Sequence, residues 1–430
     1  MTDLYLQRGR LIDPSSGLDQ EGDLLIREGR IEALGPDLTP PEGIRVLDAR
    51  DLWITPGLID LHVHLREPGQ EYKETIESGC RSAAAGGFTA VCSMPNTTPP
   101  NDSRAVTEYI LRQAKIANSA RVYPLGAISV GQKGERLAEI GEMAEAGICA
   151  LTDDGFPVMD ALLMRRAMEY GRTFGLTLCQ HAEDSCLSKG GVMNEGIHST
   201  RAGLRGIPAA AETTMVERDI RLVELTGAHY HVAHISTSSA VEAVRQAKAR
   251  GLPVSCEVTP HHLYLTDHRC LTYDTSTKMN PPLRTDEDVE AMRVGLADGT
   301  IDAVATDHAP HSSIEKDIEF EDAAFGIVGL ETALPLVLKL VQDGLLTEMQ
   351  AIDRLSTGPA RIYQLPGGSL QVGSVADVTV IDPEYRWQVD PEAFESKGRN
   401  TPFTGWDMTG RAIFTVVGGQ VVHEQERTTS

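Results

Sequence analysis

The sequence predicts an α/β protein: a TIM-like (β/α)8 barrel with a small β-sandwich domain formed by both termini. Two observations support this fold class. Short apolar runs alternate with helical stretches eight times in the middle of the chain, and both ends carry the alternating apolar and polar residues of half-buried strands. We therefore predict a barrel over 54–366 and a β domain assembled from 1–53 and 367–430. A doubly wound open sheet is the alternative for the middle, but no G-x-G-x-x-G follows its first strand.

The barrel strands are predicted in eight short runs, each followed by a helical stretch or a loop. In chain order these are "LIDLHVHL", "FTAVCSMPN", "RVYPLGAIS", "GICALTDD", "LTLCQHAED", "YHVAHIS", "PVSCEVTPHH" and "IDAVATDHAPH". Most of them end in histidine, aspartate or asparagine. Because parallel barrel strands deliver their carboxyl ends to one mouth, residues far apart in sequence are expected to meet there.

The β domain is predicted from strand-like segments at the two ends of the chain. "LYLQRGRLI" and "GDLLIREGRIEAL" lie near the start, and "ADVTVID" and "RAIFTVVGGQVVHE" lie near the end. Gly, Pro and Asp separate these segments, as is typical of short strands and turns. Two unrelated β pieces are the alternative to one shared sheet domain.

Composition excludes several classes of protein. The net charge is −23, and no long basic run occurs, which argues against a general nucleic-acid binder. Seven cysteines without a C-x-x-C pair favour a reducing compartment. No apolar run reaches the roughly 18 residues of a spanning helix, so we expect no membrane partner and a cytoplasmic location.

The first predicted strand carries polar residues that a core strand does not need. Side chains alternate between the two faces of a strand, so Asp60, His62, His64 and Arg66 project to the same side. At the carboxyl end of a barrel strand, that side is the mouth. A guanidinium there is suited to bidentate binding of a substrate carboxylate.

The sixth predicted strand offers three histidines on two faces. His234 lies nearest the strand end and shares a face with Val232, whereas His229 and His231 share the other face. We select His234 for the mouth and expect the other two to pack or to face solvent. His181, near the end of the fifth predicted strand, is the remaining candidate beside His62, His64 and His234. Four histidines with one or two carboxylates form a ligand set that suits zinc, and one shared acid would allow two ions.

Several motifs together resemble one known family. They are "DLHVHLREPG", "MPNTTPP", "TDDG", "HAED", "HVAHIST", "EVTPHHL", "KMNPPLR" and "ATDHAPH" followed by "FGIVGLET". In this order the chain resembles a dihydroorotase of the bacterial single-function type, within the amidohydrolase superfamily. Hydantoinases and allantoinases share single motifs, but "KMNPPLR" and "ATDHAPH" together are more specific.

The resemblance implies a reaction and a metal site. The reaction is the reversible hydrolysis of dihydroorotate to N-carbamoyl-aspartate in pyrimidine synthesis, with two zinc ions per subunit expected and one as the alternative. The implied ligands are His62, His64 and Asp307 for the first ion, His181 and His234 for the second, and Asp154 for both. The choice of Asp154 over Asp153 follows the family spacing, since strand alternation says only that one of the two faces the mouth.

The resemblance also implies the substrate contacts. Asp307 would carry the proton between water and the departing ring nitrogen. The substrate-binding set implied is His64, Arg66, Asn96, Asn280, His311 and the backbone of Phe325 and Gly326. A homodimer and a complex with aspartate transcarbamoylase are candidate assemblies.

Two other functions stay open at this point. One is a sister cyclic amidohydrolase acting on a hydantoin, which would keep the metals but would need no guanidinium at Arg66. The other is a non-catalytic scaffold subunit, which should have lost metal ligands, yet every expected position is filled.

Overall fold

The computed structural model describes residues 3–426 and shows a mixed α/β protein; the outermost residues of the predicted β domain, 1–2 and 427–430, lie outside this range. The strands are β1 (Leu4–Asp13), β2 (Leu18–Arg27), β3 (Arg30–Gly35), β4 (Arg45–Asp48), β5 (Trp53–Pro56), β6 (Leu58–Val63), β7 (Phe88–Ser93), β8 (Arg121–Pro124), β9 (Ala150–Leu151), β10 (Thr177–Gln180), β11 (Met193–Asn194), β12 (Gly206–Ile207), β13 (Tyr230–Val232), β14 (Val254–Val258), β15 (Ala303–Val304), β16 (Val378–Gln388), β17 (Asp407–Val417) and β18 (Gln420–Glu424). The α-helices are α1 (Ile76–Ala85), α2 (Arg104–Ala117), α3 (Ile140–Ala146), α4 (Ala161–Thr173), α5 (Ile197–Ala202), α6 (Ala210–Thr226), α7 (Ser238–Ala249), α8 (Asp286–Asp298), α9 (Ser313–Lys316), α10 (Ala333–Gln342), α11 (Glu348–Ile352) and α12 (Gly358–Ile362).

Each of the eight runs predicted as barrel strands contains a strand. β6, β7 and β8 form a three-stranded parallel sheet, and β9, β10, β13, β14 and β15 form a five-stranded parallel sheet. Two isolated parallel bridges, Val63 with His308 and Gly126 with Leu151, connect these sheets at both edges. Within residues 3–426 the continuous ladders therefore make two sheets rather than one uninterrupted ring.

The helices between these strands are specified locally by caps and by an apolar face. Thr75, Thr237 and Thr285 each precede a helix and accept a hydrogen bond from a backbone N–H of its first turn. Helix α7 buries Val241 and Val244 against the core. Among the described residues, no helix is both long and apolar enough to cross a membrane.

Both ends of the chain contribute to one further sheet. Its strand order is β18-β17-β16-β5-β1-β2-β3, with β4 paired to β1. Strand β16 pairs antiparallel with β5, which joins the C-terminal strands to the N-terminal ones. The shared origin is as predicted, but the predicted two-sheet sandwich is not confirmed, because backbone hydrogen bonds run through a single eight-stranded sheet.

Candidate metal centre and substrate cleft

A cleft of about 190 Å³ opens where the central strands end. It is lined by His64, Arg66, Asn96, Asp154, Gly155, His181, His234, Asn280, Asp307, Ala309, His311, Phe325 and Gly326. All the site residues predicted from sequence are in this set except His62, which is completely buried behind it. The sequence reasoning did not select Gly155 or Ala309.

Two groups of potential metal ligands share Asp154. His62 Nε2 and His64 Nε2 lie 3.3 and 3.4 Å from Asp154 Oδ2. His234 Nε2 and His181 Nδ1 lie 3.4 and 3.7 Å from Asp154 Oδ1. Each carboxylate oxygen thus faces its own pair of imidazoles, which is the arrangement required of a bridging ligand.

The structure separates the roles of the adjacent aspartates. Asp153 accepts hydrogen bonds from the backbone N–H and the hydroxyl of Ser129 and so points away from the histidines. A different aspartate, Asp307, lies beside the two histidines of the first group. Its Oδ1 is 3.1 Å from His64 Nε2 and 3.5 Å from His62 Nε2.

One ligand atom of the first group lacks a hydrogen-bond partner among the described residues. His62 Nε2 is buried and faces carboxylate oxygens of Asp154 and Asp307, which cannot donate to it when ionised. Burial raises the pKa of Asp154, but the interactions with His62 and His234 lower it by more. The pKa of Asp154 therefore lies well below its usual range. Buried, ionised carboxylate beside imidazole nitrogens is the donor chemistry of zinc and similar divalent ions.

Three of the site residues have unusual backbone conformations. Arg66, His234 and Asp307 adopt φ values of 63°, 32° and 49°, in the left-handed region that favours glycine. Each lies two or three residues after the end of a central strand, where the chain leaves the sheet. Such conformations cost about 1–3 kcal/mol each and occur mainly where the surrounding structure holds a functional side chain in place.

Arg66 forms the cationic side of the cleft and contacts the imidazole of His311. Arg66 is buried, and its Nε donates to Pro310 O at 3.2 Å. Its Nη2 lies 3.2 Å from His311 Nε2, which itself lies 2.8 Å from Phe325 O. A neutral imidazole nitrogen cannot donate and accept at once, so only one of these two contacts is a hydrogen bond at a time. Burial lowers the pKa of Arg66 only to about 10, so the guanidinium is charged at neutral pH.

The two asparagines contact metal-ligand histidines. Asn96 Oδ1 lies 2.8 Å from His64 Nδ1 and therefore selects the tautomer that leaves His64 Nε2 free. Asn280 Nδ2 donates to Glu183 Oε2 at 2.7 Å and lies 3.3 Å from His181 Nε2. Both predicted substrate contacts thus also orient the metal groups.

A buried lysine holds the backbone on the far side of the cleft. Lys316 Nζ donates to Ala324 O at 2.8 Å and to Gly326 O at 3.0 Å, on either side of Phe325. Burial lowers the pKa of Lys316 to about 7. The lysine therefore fixes the two residues whose backbone was predicted to bind the substrate.

Comparison with known proteins identifies the family. The family model described as Dihydro-orotase-like matches residues 52–240. A dihydroorotase of Anaeromyxobacter dehalogenans is 57% identical over 424 residues, which cover 98% of each chain. The chain belongs to the dihydroorotase family. A dihydroorotase of a Geobacter species is 55% identical over 421 residues, 98% of this chain and 99% of the relative. The resemblance drawn from the motifs is thereby confirmed, and dihydroorotases are cyclic amidohydrolases.

Solved structures agree with this assignment at the level of the fold. The L-hydantoinase (dihydropyrimidinase) of Arthrobacter aurescens superposes with a TM-score of 0.89 at 26% identity, covering 99% of this chain and 97% of the hydantoinase. A dihydropyrimidinase from Brevibacillus agri gives a TM-score of 0.85 at 22% identity, with 98% and 95% covered, and so shows the fold alone.

Sequence reasoning missed two acids that contact ligand histidines of the candidate centre. Glu183, in the "HAED" motif, lies 3.5 Å from His181 Nε2. Glu257 is fully buried in β14 and lies 3.1 Å from His62 Nδ1. Glu257 had one detectable signal, a carboxylate in the middle of an otherwise uncharged strand run, "PVSCEV". Glu183 had none beyond its motif.

Proposed function

We propose that the protein hydrolyses the cyclic amide of dihydroorotate to N-carbamoyl-aspartate, and the reverse, at the Asp154 centre. The observation that carries the choice of substrate is Arg66. Its guanidinium is buried beside the metal groups, and within residues 3–426 no carboxylate lies within 4 Å of it. A buried cation without a partner acid is stabilised by an anionic ligand, and both dihydroorotate and N-carbamoyl-aspartate carry a carboxylate.

In this proposal the site residues have two roles, metal binding and substrate binding. His62, His64, His181, His234, Asp154 and Asp307 would hold zinc. Bound zinc would polarise the amide carbonyl and acidify water. Arg66 and the imidazole of His311 would bind the substrate carboxylate and fix the ring relative to Asp307.

Asp307 would move the proton. The neighbouring histidines, His62 first, lower its pKa despite burial, so it is ionised and can accept a proton from water. Oδ1 faces His64, whereas the described residues give Oδ2 no hydrogen bond. Oδ2 is thus the atom that takes the proton and returns it to the leaving ring nitrogen.

The finer architecture belongs to the same proposal. We infer that the eight central strands form a (β/α)8 barrel, an inference supported by the parallel bridges at Val63 and Gly126. Several finer features stay predictions. They are the domain boundaries at 53/54 and 366/367, a sandwich-like packing of the terminal sheet, two zinc ions per subunit, a homodimer, a transcarbamoylase complex and a cytoplasmic location.

A substrate comparison tests the function. Purified protein is assayed on dihydroorotate and on an unsubstituted hydantoin, and its metal content is measured in parallel. The proposal expects turnover of dihydroorotate well above that of hydantoin. A preference for hydantoin would favour the sister activity, and no turnover of either compound with added zinc would favour a scaffold.

A further inference from the structure

A buried carboxylate lies directly behind the first group of ligands. Glu257 is completely inaccessible, as are the two histidines that flank it. Its Oε1 is 3.1 Å from His62 Nδ1, and its Oε2 is 3.1 Å from His231 Nε2. We propose that Glu257 is a positioning residue that sets the tautomer and ring orientation of His62; the inference rests on the proposed metal centre.

The hydrogen-bond inventory determines where the proton of His62 lies. An ionised carboxylate only accepts, so the contact with Glu257 Oε1 requires the proton on Nδ1. In the neutral ring, which is the form that binds a metal, Nε2 then carries a lone pair and faces carboxylate oxygens of Asp154 and Asp307 at 3.3 and 3.5 Å. A lone pair between two carboxylates is unfavourable in the metal-free site and suited to a bound cation.

Glu257 is itself held from the opposite side. Ser255 Oγ lies 2.8 Å from His231 Nδ1; if the hydroxyl donates, the His231 proton is on Nε2, toward Glu257. His231 Nε2 and Glu257 Oε2 face each other without good hydrogen-bond geometry, so the contact between them is mainly electrostatic. The ring of His231 also packs edge-on against Tyr363, with centroids 5.6 Å apart. His231, predicted to pack or face solvent, thus packs against the residue that orients His62.

His64, the other histidine of this group, has a different support. Its Nδ1 contacts the neutral amide oxygen of Asn96 instead of a carboxylate. A carboxylate partner makes an imidazole more basic than an amide partner does, and loss of such a partner weakens metal binding by about 10–100-fold in known sites. Glu257 should therefore make His62 the stronger ligand of the two.

The test measures metal binding without substrate. Glu257→Gln keeps the size of the side chain and an oxygen for His62 Nδ1 but removes the charge. The matched control is Asp13→Asn. Asp13 is a buried carboxylate of the terminal sheet that accepts hydrogen bonds from the hydroxyl of Ser15 and the backbone N–H of Leu370. Zinc affinity is measured by competition with a chromophoric chelator, and the visible spectrum of the cobalt-substituted protein reports the ligand geometry.

We expect Glu257→Gln to weaken zinc binding about 10–100-fold and to alter the cobalt spectrum, with Asp13→Asn resembling wild type. Unchanged affinity and spectrum in Glu257→Gln would overturn the inference, as would an equal loss in the control. If wild-type protein binds metal but does not turn over dihydroorotate, the proposed function fails. The inference about Glu257 is then still tested by the zinc affinity and the cobalt spectrum of Glu257→Gln. If wild-type protein binds no metal, the inference fails.

Discussion

Replacement of Arg66 by methionine removes a positive charge from the lining of the cleft, where it could bind a substrate carboxylate. The size of the effect follows from burial. Burial lowers the pKa of Arg66 to about 10, a net shift that corresponds to about 3 kcal/mol against the charged form. An anionic ligand relieves part of this cost, and truncation of one partner of a buried charge pair costs about 2–5 kcal/mol. We therefore expect kcat/KM for dihydroorotate to fall about 100- to 1000-fold.

The assay follows loss of the substrate's ultraviolet absorbance across a range of concentrations, with zinc content measured on the same samples. The fall should appear mainly in KM, and the metal content should equal that of wild type, because Arg66 contacts no ligand atom of the two groups. Arg399→Met is the matched control, since Arg399 lines a separate cavity that borders His311. A change in KM of less than about threefold in Arg66→Met, with zinc retained, would refute the proposed role of the guanidinium.

Three further predictions address the metal, the loop and the packing. Asp154→Asn should lose zinc and at least about 1000-fold in turnover, whereas Asp153→Asn should retain zinc, as elemental analysis and assay would show. Lys316 has a folded pKa of about 7 against 10.5 unfolded, so the unfolded chain binds the extra proton between these values, and stability should rise with pH there. Relative to Lys316→Met, the metal-free wild-type protein should gain about 2 kcal/mol in unfolding free energy from pH 7 to 9 in urea titrations; a flat difference would mean that the carbonyl acceptors keep the lysine charged. Gly86→Ala would place a Cβ 2.1 Å from Leu330 O and should lower stability by about 1–3 kcal/mol, whereas a Cβ at Gly196 meets only Asn194 Nδ2, at 4.0 Å, and Gly196→Ala should not lower it.

Much of the site was predictable because strand geometry converts spacing into position. The two-residue period placed His62 and His64 on one face, and the strand-end rule selected His234 over His231. The structure places His64 and His234 in the lining of the cleft, whereas His62 lies buried behind it. The choice of Asp154 over Asp153 needed the family spacing, since which of two consecutive residues faces the mouth depends on how β9 is oriented.

The supporting contacts were not predictable, because they depend on the register between strands. Glu257 meets His62 across about 200 positions of sequence, and nothing local to β14 indicates that partner. The same limit applies to the terminal sheet. Alternating residues predicted its strands, but one sheet or two is decided by long-range pairing such as that of β16 with β5.

The joining of β16 to β5 has a consequence for the order of folding during synthesis. Thr379 is the partner of Thr55, so the N-terminal strands emerge from the ribosome more than 300 residues before this neighbour does. Through most of translation, the apolar cluster that includes Ile54 lacks the side chains of Val378 and Val380, which later join it from the neighbouring strand. The catalytic region between them can assemble beforehand, and the nascent chain closes its first and last segments together only when elongation is almost complete.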